Sequence, residues 1–168
     1  MHKFICISGC TASGKSSFAI ELSNYFEDPV IINADALQVY DCWKILTDRP
    51  TEKKIMHDLY GHVSCNVNYS VGDWIKDVKN IFDLYSKNSK TFIFVGGTGL
   101  YFNALLNGLS QIPQIPEEIR DFANSCDLSF FLKGLNINDP GILEKIDTNN
   151  RRRVQRAWEV LEATGKSI

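Results

Sequence analysis

Gly9-Cys10-Thr11-Ala12-Ser13-Gly14-Lys15-Ser16 limits what this chain can fold into more than any other stretch. It fits the spacing G-x-x-x-x-G-K-[ST] and follows a short apolar run, Phe4-Ile5-Cys6-Ile7, that reads as a buried strand. A helix is predicted to begin near Lys15, with Phe18, Ala19, Leu22, Tyr25 and Phe26 on one face and Asp28-Pro29 beyond its end. A glycine-rich turn between strand and helix lets backbone amides point at phosphate oxygens, and the helix adds free N–H groups and the positive end of its dipole. Lys15 supplies a point charge, and the Ser16 hydroxyl is placed to ligate Mg²⁺. Such a loop specifies phosphate binding but not the reaction.

The remaining pattern sets the fold class. Val30-Ile31-Ile32 reads as a second buried strand ending at Asn33-Ala34-Asp35, and Thr91 to Val95 as a third, followed by Gly96-Gly97-Thr98-Gly99 and a helix to about Leu106. Between them, Ser70 and Asp73 are spaced as a capping box. Val71, Trp74, Ile75, Val78, Ile81, Phe82 and Tyr85 follow at helical spacing. Apolar strands alternating with amphipathic helices predict an α/β protein with a P-loop NTPase-like parallel sheet flanked by helices. Pro116 is placed to open a helix over 117–124, the stretch 126–140 yields no assignment, and a last helix is predicted over about 150–163 with Gly165 as its stop. The expected organisation is a core over 1–116, a shortened helical insertion over 117–148 and a core-packing helix with an arginine face over 149–168, all one structural unit.

Composition narrows the class further. With 168 residues, 44% of them hydrophobic, and a net charge of −2, the chain has material for a real core and lacks the profile of a disordered protein. No apolar run approaches the ~20 residues of a bilayer helix. Nor does a basic, apolar, small-residue leader open the sequence, so a cytoplasmic protein without membrane attachment is expected. The five cysteines, with no C-x-x-C pair, and only three histidines leave little for a zinc site, and reduced thiols, several of them core fillers, are expected. The near-neutral charge argues against general coating of nucleic acid but leaves room for a local basic patch.

Loops at the carboxyl ends of parallel strands gather on one edge. Asp35 should therefore face the same crevice as Lys15, as proton acceptor, amine partner or holder of a magnesium water, unless it serves only to cap a helix over 36–40. Gly97-Thr98-Gly99 lands on that edge too, either as part of the site or as a tight turn into a packed helix. In the last helix, taking Val154, Ala157, Trp158 and Leu161 as the buried stripe leaves Arg152 and Arg156 opposite it and Arg153 on the flank. That face suits a phosphate backbone, or else is a solvated surface paired with Glu159 and Glu162.

GCTASGKSS, NADALQVY, the TDRPT run, YSVGDW, VGGTGLYFNALLNGLS, IPEEIR and RRRVQRAWEVLEATGK, in this order from Ile7 to Lys166, resemble the bacterial type of tRNA dimethylallyltransferase (tRNA isopentenyltransferase). The resemblance implies transfer of a dimethylallyl group from dimethylallyl diphosphate to the exocyclic amine of the adenosine 3′ of the anticodon, with Mg²⁺ as cofactor and the anticodon stem-loop of tRNA as partner. It implies that Gly9 to Ser16 cradle the diphosphate, Ser16 also ligating Mg²⁺. Asp35, Lys15 and Thr98 would be the catalytic residues, with Asp35 as general base. Asp35, Ala36, Leu37, Gln38, Thr98, Arg120, Arg152, Arg153, Val154, Gln155 and Arg156 would contact tRNA. The sequence departs from the family at Cys10 (usually proline), Ala36 (serine), Leu37 (methionine) and Arg152 (glutamine), and 122–138 looks compressed. Family members are longer, so a shortened form, acting as a monomer, is expected. A P-loop small-molecule kinase or nucleotide-binding protein, and a non-catalytic remnant that binds diphosphate or tRNA, are the competing readings.

Overall fold

Two runs without polar alternation, Pro29–Asn33 (β2) and Thr91–Gly96 (β4), form the middle of a parallel sheet and are buried almost throughout. The computed structural model describes residues 2–50, 55–85, 89–110 and 112–168. They divide into two compact units, Met1–Leu109 and Ser110–Ile168.

In the first unit the four-stranded sheet has the order β1-β4-β2-β3, with β1 at Lys3–Ser8 and β3 at Met56–Asp58. Every pairing is parallel, and Ser8 lies opposite Gly96 while Asn33 lies opposite Val95, so the strands end together. Helix α1 (Lys15–Ser23) sits on one side, where Ala19, Ile31, Ile93 and Val95 are buried together. Helices α2 (Val71–Leu84) and α3 (Gly99–Asn107) supply the other side, where Trp74, Val78, Tyr101 and Phe102 pack with Val30, Ile32, Phe92 and Phe94. Trp74 is fully buried, so its truncation to alanine would cost roughly 3–5 kcal/mol. The capping box is present: Asp73 N–H donates to Ser70 Oγ, and Ser70 N–H donates back to the Asp73 carboxylate.

Three expectations need correction here. β1 is an edge strand, so only Ile5 and Ile7 turn into the core, while Phe4 and Cys6 are exposed. In α1 the buried positions are Ala19 and Ser23, and Phe18 and Tyr25 face out, because a nine-residue helix turns only a narrow stripe to the sheet. The cysteines are not core fillers: Cys6 and Cys10 are exposed, Cys126 is half-buried, and Cys42 and Cys65 meet as a disulfide pair. Strand β3 went unrecognised because three residues are too short to show a period.

The second unit packs α4 (Glu117–Ser125), α5 (Leu128–Asn138), the single turn α6 (Pro140–Leu143) and α7 (Arg151–Thr164) around Ala123, Phe131, Leu135, Ile142, Val154, Ala157 and Trp158. Helix α5 lies in the stretch left unassigned, since LSFFLKGLNIN is apolar on several sides and carries a mid-helix glycine. Gly134 has a packing reason, because a Cβ there would sit 3.2 Å from the Trp158 ring of α7. Asp127 caps α5 by accepting from Phe130 N–H, and Gly165 ends α7 at φ 67° as expected. The final helix shares its core with α4, α5 and α6, and the division falls after Leu109.

Candidate functional site

The eight residues Gly9 to Ser16 leave the end of β1 and enter α1 as one exposed loop, with Lys15 and Ser16 half-buried at its base. Ala12 at φ 60° and Gly14 at φ 83° bend the backbone through the left-handed region, a shape that turns amides toward one concavity. Ser13 N–H donates to the Cys10 carbonyl at 3.3 Å, and Phe18 N–H to the Gly14 carbonyl at 2.9 Å. Gly14 is the N-cap and offers no side chain, so the first amides of α1 meet no capping group. Lys15 Nζ bends back onto the Cys10 carbonyl across the loop mouth. An uncapped helix N-terminus with a lysine beside it is the chemistry that suits an anion.

Asp35 sits on this same edge. A Cβ built on Gly97 would lie 3.4 Å from the Gly9 carbonyl oxygen and 3.7 Å from Asp35 Oδ2, so that glycine separates the start of the loop from the carboxylate by one small gap. The ends of β2 and β4 are pressed together: Ala34 N–H donates to the Val95 carbonyl at 2.8 Å and Thr98 N–H to the Ala34 carbonyl at 3.3 Å. A Cβ on Gly96 would collide with the Ala34 carbonyl group and come within 2.7 Å of the Asp35 nitrogen. Residues 36–39 form a turn, not a helix, with Asp35 Oδ1 accepting from Leu37 N–H at 2.9 Å. One carboxylate oxygen thus shapes the turn while the other points to the Gly97 side. Thr98 Oγ1 accepts from Ala36 N–H at 2.9 Å, so its hydroxyl fastens the Asp35 turn to the start of α3. Leu37 is exposed, and Gln38 donates its amide to the Thr47 carbonyl at 2.9 Å.

Asn33 was missed by the sequence reading and organises all of this. It is fully buried, its Oδ1 accepts from Asp35 N–H at 3.0 Å, and its Nδ2 donates to the carbonyls of Asp35 (2.9 Å) and Leu59 (3.0 Å). Its own carbonyl accepts from Trp74 Nε1 at 2.8 Å. A polar residue ending an apolar strand was the available signal. Asn33→Ala leaves those groups unpaired in the core, so a loss of about 1–3 kcal/mol and a Tm several degrees lower are expected in thermal melts. Pyrophosphate binding by the intact loop should persist; a melt identical to that of the parent chain would refute this role.

Two phenols feel the charge of the Asp35 carboxylate. Burial pushes the Tyr101 pKa up to about 12, with the charges of Tyr40 and Asp35 adding to it, and Tyr60 is pushed up still further, chiefly by burial and then by Asp35. Both are neutral at physiological pH. Tyr101 is also stacked on Trp74 at 4.5 Å between ring centroids.

The remaining predicted site residues belong to the second unit. Arg120 on α4 is exposed, as are Arg152 and Arg153 on α7, while Arg156 pairs with Glu159 at 3.6 Å. Val154 is fully buried and Gln155 nearly so, with its amide bonded to Asn124 and Glu159, because the helix turns these two positions inward. Of the predicted positions on α7, the cationic side chains that reach the surface are Arg152, Arg153 and, in part, Arg156. Arg151 has a structural task that spacing did not reveal: it donates to the Cys126 carbonyl at 2.8 Å and to those of Ala123 and Asn124 at 3.4 Å, capping the end of α4.

A parallel sheet with a glycine-rich loop between its first strand and the following helix, and a carboxylate after β2, two places along from β1, defines a P-loop α/β protein. The IPP transferase family model matches residues 38–168. Among curated relatives, the chain is 46% identical to the tRNA dimethylallyltransferase of Ruegeria sp. over 98% of its own length and 55% of the relative's. It is 45% identical to that of Jannaschia sp. over 99% and 57%. A crystal structure of a eukaryotic dimethylallyltransferase acting on tRNA superposes with a TM-score of 0.81 at 29% identity, covering 99% of this chain and 42% of that one. The tRNA isopentenylpyrophosphate transferase of Bacillus halodurans gives 0.59 at 30% identity, over 98% and 56%. The chain belongs to the IPP transferase family. It spans about half the length of the curated relatives it matches.

Proposed function

We propose that this chain carries the diphosphate-binding and base-catalytic part of a tRNA dimethylallyltransferase. The supporting observation is that the Asp35 carboxylate and the Gly9 carbonyl border the same gap at Gly97, so a proton acceptor faces the anion loop. In the proposed reaction the C1–O bond of dimethylallyl diphosphate breaks as the exocyclic amine of the adenosine 3′ of the anticodon bonds to C1. The electron pair leaves with the diphosphate, and the amine proton passes to Asp35. An allylic carbon gains cationic character as the leaving group departs, so stabilising the departing charge is the larger task. Lys15 and the loop amides do this, while Asp35 receives a proton whose acidity rises as the new bond forms. Thr98 acts through the turn that it fastens to α3.

Mg²⁺ is part of this proposal, and the Ser16 hydroxyl is the hard oxygen donor that would hold it. When bound it supplies further neutralisation of the diphosphate. The target base must leave its stack to reach the gap. The anticodon stem-loop is taken to be held by the cationic side chains Arg120, Arg152, Arg153 and Arg156 of the second unit; in the first unit, the turn from Asp35 to Gln38 is taken to contact the target base. The proposal places the protein in the cytoplasm as a monomer; among the described residues no helix is long and apolar enough to cross a membrane.

The test is incubation of the chain with labelled dimethylallyl diphosphate, Mg²⁺ and an anticodon stem-loop carrying A-A-A. Label in the RNA is the expected result. Preferential binding of ATP would favour a small-molecule kinase, and diphosphate binding without transfer would favour a non-catalytic remnant; either overturns the proposal. Replacing Arg152, Arg153 and Arg156 together with glutamine should weaken stem-loop binding and flatten the salt dependence by up to three phosphate contacts' worth, about 0.7–0.9 in log–log slope per contact. A slope equal to that of the parent chain would show α7 to be a solvated surface.

A further inference from the structure

We infer that Cys42 and Cys65 form a reversible, solvent-accessible redox site that locks the segment leading out of the Asp35 turn. This inference stands apart from the reaction proposed above. Beyond Asp35, residues 38–41 pair with 61–63: Gly61 N–H donates to the Gln38 carbonyl at 2.9 Å, Val63 N–H to the Val39 carbonyl at 3.0 Å, and Asp41 N–H to the Val63 carbonyl at 2.9 Å. The parallel bridge between Tyr40 and Val63 belongs to the same ribbon. Its far end is closed by the two cysteines, Cys42 in the short 3₁₀ turn Asp41–Trp43 and Cys65 two residues past Val63. Their Cα atoms are 6.1 Å apart, inside the window of roughly 4.4–6.8 Å that a disulfide spans without backbone movement.

Both cysteines are exposed, so a small reagent reaches them. As a thiol, Cys65 has an acceptor at hand in Asp41 Oδ1, 3.2 Å away, which gives the open form a defined resting contact. Joining the sulfurs closes a loop 23 residues long in sequence separation at the end of an already paired ribbon. The matching co-reactant is a low-molecular-weight disulfide. One cysteine thiolate attacks it, forming a mixed disulfide and releasing one thiolate. The second cysteine then attacks the protein-bound sulfur and releases the other. The protein loses two protons and two electrons, the reagent takes them up to become two thiols, and a dithiol reductant reverses the exchange. The pair has no C-x-x-C spacing, which is why the sequence did not announce it.

The test uses the full chain, reduced, freed of reductant and incubated with glutathione disulfide. Of the five thiols two should disappear, a Cys42 peptide should be linked to a Cys65 peptide in a non-reducing digest, and dithiothreitol should restore the starting count. Amide exchange at Asp41 and Val63 should slow severalfold in the oxidised chain, because the ribbon can no longer open from its far end. Cys42→Ser should show neither the link nor the slowing, with Cys65 carrying one glutathione instead. Separate glutathione adducts on Cys42 and Cys65 of the parent chain, a link through Cys6, Cys10 or Cys126, or exchange unaffected by oxidation would each overturn the inference.

Discussion

Asp35→Asn is expected to lower prenyl transfer by about 10²–10⁴-fold while leaving the affinity for diphosphate within about twofold, the range that general base catalysis commonly covers. Asparagine keeps the shape of the side chain and the oxygen that accepts from Leu37 N–H, so the 36–39 turn should survive. What disappears is the capacity of the other oxygen, near Gly97, to take up a proton. Single-turnover measurements with saturating dimethylallyl diphosphate separate this from any change in loading. Loss of diphosphate binding in the variant would show that Asp35 belongs to the cradle instead, and an unchanged transfer rate would remove it from the chemistry altogether.

Lys15→Ala is expected to weaken pyrophosphate and dimethylallyl diphosphate binding by about 10–100-fold, and transfer by at least as much. That range follows from one charge-assisted hydrogen bond at about 1.5–3 kcal/mol. The effect on transfer is larger because the same cation meets more charge as the leaving group departs. Lys15→Arg should not restore either property, since a planar guanidinium is broader than the ammonium that now reaches the Cys10 carbonyl inside the loop. Isothermal titration with inorganic pyrophosphate reads the binding term directly. The thermal stabilisation that pyrophosphate gives the parent chain should shrink correspondingly in Lys15→Ala. Unchanged affinity would mean that the anion is held by backbone amides alone.

The two halves of the candidate site differed in how plainly the sequence displayed them. The glycine-rich loop is local: strand, glycine turn, lysine and helix all lie between Lys3 and Ser23, and each step has a recognisable residue type. Asp35 and Thr98 were also legible, because a parallel sheet collects the carboxyl ends of its strands on one edge wherever they lie in the chain. The residues that hold Asp35 in place were not legible. Asn33 bonds to Leu59 and Trp74 to Asn33 over long sequence separations, and no periodicity reports such partners. The same holds for Arg151, whose acceptors lie at the end of another helix, and for Cys42 and Cys65. For the strands, the apolar run of β1 was read correctly as a strand, but its edge position depends on which neighbours the sheet provides. In the last helix the stripe Val154, Ala157, Trp158 followed from spacing, whereas the inward turn of Gln155 depends on the polar partners Asn124 and Glu159.

The crowding at Gly96 has a consequence for how this protein can change over generations. The atoms that would meet an added methyl belong to the main chain at Ala34 and Asp35, not to any side chain. A bulky neighbour can be trimmed by mutation elsewhere, but a peptide group cannot, so damage at this position has no simple suppressor. Any lineage that keeps the ends of β2 and β4 packed this way is held to glycine here, whereas the exposed side chain at Leu37, three residues beyond Ala34, is free to differ.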